Sequence, residues 1–118
     1  MSCDDSESYQ TKLKQGATWS RTITWKTGTP AVPVILTGYT ARMQLRRAAG
    51  EAVAVELTTE NGRITLGGIT GEIALSIDAV TTAALTPARY AFDLELVSGA
   101  AVTCILEGFI TVTPNITV

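Results

Sequence analysis

From residue 17 onward the chain alternates. Trp19, Ile23 and Trp25 fall on one side of an extended segment whose other side carries Thr18, Ser20, Thr22 and Thr24, the period-two pattern of a half-buried strand. Arg21 interrupts the apolar side, so it is expected at a rim where its charged head reaches water. The pattern recurs with Tyr39, Ala41, Met43 and Leu45 set against Thr40, Arg42, Gln44 and Arg46, and again with Val53, Val55 and Leu57 set against Ala54 and Glu56. A turn at residues 48–51 joins those two into a predicted hairpin. Ile73, Leu75 and Ile77 form another stripe, and Tyr90, Phe92, Leu94 and Leu96 form the next, against Ala91, Asp93 and Glu95. Residues 101–113 predict a long last strand, with Gly108 as its expected bulge.

The breaks between stripes are equally informative. Pro30 and Pro33 forbid a central strand across residues 28–34, because each removes a ladder donor. Asn61-Gly62 is a turn signal, and Gly67-Gly68 ends a short strand over residues 63–66. Asp78 reads as the N-cap of one helical turn that Pro87 closes off. About seven short strands with regularly spaced turns and one helical turn predict an all-β fold, an antiparallel immunoglobulin-like β-sandwich. Residues 1–15 hold Asp4, Asp5 and Glu7 with only Tyr9 and Leu13 to offer a core, and predict a flexible N-terminal arm. Residues 16–118 then make one β-sandwich domain, a size that 118 residues allow without a second.

Charge narrows the partners. Nine basic and eleven acidic residues give a net charge of -2, and the basic ones are scattered, so the clustered cations that nucleic acid demands are lacking. No run approaches the roughly 18 apolar residues of a membrane helix, and the acidic N-terminus is unlike a signal peptide. Synthesis in a reducing cytoplasm is expected. Of the two cysteines, Cys3 lies in the polar arm and Cys104 in an apolar run, which predicts a buried free thiol at Cys104 rather than a disulfide.

Candidate chemistry is thin. The chain has no histidine, which removes the commonest general base and metal ligand and excludes Ser-His-acid and Cys-His hydrolases. Asp93 and Glu95 share a strand face, as a glycosidase pair would need to approach one another. Arg42, Gln44 and Arg46 line an equally polar stripe, so ion pairing across neighbouring strands is the simpler reading. No calcium-loop spacing surrounds Asp4, Asp5 and Glu7 or Asp93 and Glu95, and Gly67-Gly68 lacks the Lys and helix of a phosphate loop. No metal, cofactor or enzymatic activity is expected. Trp19, Trp25, Tyr39, Tyr90 and Phe92 predict core more than a sugar platform. The hydroxyl-rich faces, Thr18 to Thr24 with Thr103, Thr111 and Thr113, suit either water or a neighbouring subunit.

Certain phrases carry a resemblance. Gly16-Ala-Thr-Trp-Ser-Arg-Thr-Ile-Thr-Trp25, Leu36-Thr-Gly-Tyr-Thr-Ala-Arg-Met-Gln-Leu-Arg46, Gly71-Glu-Ile-Ala-Leu-Ser-Ile77, Tyr90-Ala-Phe-Asp-Leu-Glu-Leu96 and Leu106-Glu-Gly108 resemble small tailed-phage virion proteins, in particular the N-terminal domain of phage baseplate upper proteins and short stand-alone relatives. The likeness runs from about Gly16 to the C-terminus and includes no catalytic signature. It implies a multi-copy sandwich in a virion, assembled with other virion proteins in the tail, baseplate, neck or capsid as an adaptor, decoration or fibre anchor. Residues expected at such contacts are Asp4, Asp5, Glu7, Tyr9, Arg42, Arg46, Asp93, Glu95 and Ile116, through the two chain ends and the charged strand faces. A carbohydrate-binding module touching the host surface through Trp19, Trp25 or a Tyr is the alternative.

Overall fold

The computed structural model describes residues 8–48 and 50–116. In chain order the elements are β1 (Ser8–Lys14), β2 (Trp19–Thr24), β3 (Lys26–Thr27), β4 (Val32–Pro33), β5 (Thr40–Arg46), β6 (Val53–Thr58), β7 (Ile64–Leu66), β8 (Glu72–Ile77), α1 (Ala79–Ala83), β9 (Arg89–Ser98) and β10 (Ala101–Thr113). A 3-10 turn, Gly68–Thr70, separates β7 from β8. Five strands form one sheet in the order β1-β10-β9-β5-β6, three form a second in the order β2-β8-β7, and β3 and β4 make a short ribbon. The chain is an all-β sandwich.

Alternation builds both layers. Met43, Leu45, Leu57, Leu94, Leu96 and Ile110 are essentially sealed on the inner face of the large sheet, and Ile64, Ile73, Leu75 and Ile77 on that of the small one. Each buried side chain of this size stabilises by roughly 1.5–3 kcal/mol relative to exposure. Leu36 and Leu85 close the two ends of the core from the connections. At one end, the buried Thr82 hydroxyl of α1 accepts the Gly16 N–H at 3.1 Å and donates to the Ala17 carbonyl at 2.8 Å. Asp78 does precede α1 as its N-cap, but its carboxylate takes the Thr81 hydroxyl at 2.6 Å rather than a backbone amide.

The structure departs from the sequence reading in three places. Residues 8–14 are not part of a loose arm: they form β1, which pairs in parallel with β10, Tyr9 opposite Gly108 and Leu13 opposite Val112. Leu13 is 1 % exposed, so this edge strand contributes to the core with few apolar residues because only one of its faces meets it. Secondly, the bulge in β10 is not at Gly108. The register slips between Cys104 and Leu106, and Gly108 is regular and serves another purpose: a Cβ there would fall 1.7 Å from the Tyr9 carbonyl oxygen.

The third correction follows from the second. Val102, Cys104 and Leu106 are in phase with buried Ile110 and Val112, so strict alternation would send Cys104 inward. The extra residue at the bulge reverses the phase, and Cys104 pairs with the outward-facing Glu95. It is half-buried and disulfide-bonded, not a buried free thiol. Cys3 lies outside the described residues.

Candidate functional site

The outer face of the large sheet gathers most of the charged residues singled out in the sequence. Strand order alone does this, because β10, β9, β5 and β6 are neighbours and their outward positions fall in rows. One row runs Glu107, Asp93, Gln44, Glu56; the next runs Cys104, Glu95, Arg42, Thr58. Arg42 Nε bonds Glu95 Oε1 at 2.7 Å. Arg46 donates to Gln44 Oε1 at 2.7 Å and to the Glu51 carbonyl, and Gln44 in turn donates to Glu56 Oε2 at 2.9 Å. The predicted ion pairing across adjacent strands is thus present for Arg42 and Glu95, and Arg46 reaches carboxylate only through Gln44.

Asp93 is left between acids. Its carboxylate accepts no hydrogen bond from a described side chain, and it lines a shallow depression of about 540 Å³ with Gln44, Arg46, Glu95 and Glu107. Partial burial, then the neighbouring Glu95 and Glu107 charges, raise its pKa above the ordinary 3.8, with Arg42 pulling the other way. A carboxyl whose folded pKa is raised stabilises most when protonated: its contribution is full below the unfolded value and is lost as pH climbs through the folded one. Asp93→Asn is therefore expected to raise the urea midpoint at neutral pH and to leave the midpoint measured below about pH 3.8 unchanged. Equal effects at both pH values would show that Asp93 is not strained by its neighbours.

Glu95 is held by Arg42, no enclosing cleft surrounds the pair, and no group of three or more metal-ligating side chains occurs among the described residues. Glu107 and Glu56 were not singled out in the sequence. Each sits on a different strand from Asp93, and nothing short of the strand order places them beside it.

The remaining predicted residues scatter. Tyr9 is half-buried and packs against the core, its ring edge-on to Phe92 at 6.3 Å. Ile116 is 85 % exposed. Asp4, Asp5 and Glu7 lie outside the described residues. Among the aromatics, Trp19 and Tyr90 are buried, and Trp25 and Tyr39 stack edge-to-face at 6.0 Å. The hydroxyl residues of the small sheet face outward: Ser20 lies opposite Ser76, and Thr22 and Thr65 flank Ala74.

No protein-family model and no curated protein matches the sequence. Among solved structures, the chain is similar to an endo-beta-1,4-mannanase from Thermotoga petrophila, with a TM-score of 0.53 and 9 % identity over 89 % of this chain. It spans 18 % of that enzyme's length. At this identity the likeness extends to the fold alone.

Proposed function

We propose that the chain is a non-enzymatic structural module of a tailed-phage particle, present in several copies and working through contacts with other virion proteins. The observation that carries the reading is the outer face of the small sheet, where Ser20, Thr22, Thr65, Ala74 and Ser76 form an uncharged surface bordered by Arg63 and Glu72. Uncharged hydroxyl and methyl side chains on a regular sheet cost less to bury against a neighbour than charges do, provided that the hydroxyls find hydrogen-bond partners there. Of the two most specific phrases of the phage resemblance, Leu36 to Ala41 leads into β5 and Tyr90 to Leu96 lies in β9, and these strands are adjacent in the large sheet. A disulfide at Cys104 suits a particle that leaves the cell for an oxidising medium.

Sugar binding has weaker support. Trp19 is 4 % exposed and has no face free for a sugar ring, while Trp25 and Tyr39 are engaged with each other. Mass spectrometry of density-banded particles, with immunogold labelling of the same particles, tests the proposal. The chain is expected in fixed stoichiometry at one particle location. Its absence from intact particles, or turnover of a glycan by the purified chain, would overturn the reading.

A further inference from the structure

The edges of the two sheets are treated differently. On β6 the Glu56 carbonyl takes Asn61 Nδ2 at 2.9 Å and Arg63 Nη1 at 3.0 Å, and the Thr58 N–H is bonded by Asn61 Oδ1 at 3.0 Å. On β1 the Lys14 carbonyl takes the Ala17 N–H at 3.1 Å, Arg21 Nη2 reaches the Lys12 carbonyl at 3.5 Å, and Lys12 and Lys14 themselves line the edge. Capped carbonyls and lysines are the means by which sheets refuse further strands. β7 is only three residues long.

β2 carries one such device, Arg21, which shares the phase of Trp19 and Ile23 and reaches Thr11 Oγ1 on β1 at 2.9 Å. Trp25 donates to the Gly71 carbonyl at 2.9 Å, continuing the register in which Trp19 faces Ile77 and Thr24 faces Glu72. Hydrogen-bonded pairs alternate along an antiparallel ladder, so residues 19, 21, 23 and 25 carry the bonds to β8. The N–H and C=O groups of Ser20, Thr22 and Thr24 consequently point away from the sheet. Among the described residues only one of these groups is engaged, the Ser20 carbonyl, by Arg21 Nη1 at 2.7 Å.

We infer that β2 is an edge for a second copy of this chain: two molecules pair β2 with β2, antiparallel, about a two-fold axis through Thr22, joining two three-stranded sheets into one of six. The complementarity is internal to the strand. In this register Thr22 meets Thr22, Ser20 meets Thr24, and every outward backbone group finds one of opposite kind, the Ser20 carbonyl accepting from the partner strand beside or in place of Arg21; hydroxyl pairs of this type are favourable across strands. Arg21, the only charge on β2, falls opposite Ile23, so the two guanidiniums do not face each other. An isologous contact of this sort closes on itself rather than propagating, and strand addition draws its affinity from the main chain.

The pairing deepens the multi-copy part of the proposed function, and the two fail separately. Sedimentation velocity of the full chain over a concentration series is expected to show a reversible dimer. Thr22→Pro removes an N–H that the fold does not use, so the circular dichroism spectrum and urea midpoint should hold while the dimer dissociation constant rises about tenfold or more. Thr22→Lys sets two like charges against each other on the axis and should abolish the dimer by itself, which decides the matter if the proline variant misfolds. A wild-type chain that stays monomeric throughout, or a dimer undiminished in the lysine variant, overturns the pairing. Neither result bears on whether banded particles contain the chain, and absence from particles leaves the dimer measurement standing.

Discussion

Replacing Gly108 with valine is expected to detach β1 from the large sheet and to lower stability by at least about 3 kcal/mol. The cause is backbone against side chain. A Cβ on residue 108 would meet the Tyr9 carbonyl oxygen at 1.7 Å and its carbonyl carbon at 2.6 Å, and neither atom can move without taking the strand with it. Even alanine meets this obstacle, so Gly108→Ala should lose most of what valine loses. Urea denaturation gives the magnitude, and hydrogen exchange at residues 11–14 gives the location, with protection there collapsing first. If both variants keep the wild-type midpoint and β1 amides stay protected, the close passage of β1 over β10 is wrong. The same geometry changes what a truncation means. Deleting residues 1–15 removes Leu13 from the core and uncovers β10, so it should yield an unstable chain.

Leu94→Ala should cost about 2–5 kcal/mol. Leu94 is fully buried, with Met43 on one neighbouring strand and Leu106 on the other. Two flanking strands fix its surroundings, so the space left by the missing atoms does not collapse, and both transfer and cavity costs apply. Val102 gives the contrast. It is 39 % exposed near the start of β10, and Val102→Ala should change stability by under about 0.5 kcal/mol. Thermal or urea unfolding of the two variants side by side checks this; a Leu94→Ala loss no larger than that of Val102→Ala would mean that the centre of the large sheet is not the packed core described.

The alternation in residues 40–46, 72–77 and 90–96 was legible because strands buried on one face must place an apolar residue at every second position. The bulge at Ile105 was not, because a one-residue slip leaves no compositional mark: Val102, Cys104 and Leu106 look like uninterrupted alternation until pairing with β9 reveals the change of phase. β1 was half legible. Tyr9, Thr11 and Leu13 do alternate with Gln10, Lys12 and Lys14, but an edge strand covered on one side needs few apolar residues, and a polar, charged strand reads like a tail. For the outer-face site, Arg42 opposite Glu95 was readable as two complementary stripes. Glu107 beside Asp93 was not, since their contact depends on which strand lies next to β9.

Sequence periodicity by itself determined that this chain is a β-sandwich with most of its strands where they are found, since burial on one face dictates side-chain order locally. Tertiary structure alone decided which strands are neighbours, that the first strand joins the last in parallel, where Cys104 points, and which edge groups stay unengaged among the described residues. Those outcomes depend on pairings between distant segments, whose energies come from backbone hydrogen bonds and close approach that every residue type shares, and so leave little trace in the identity of any one residue.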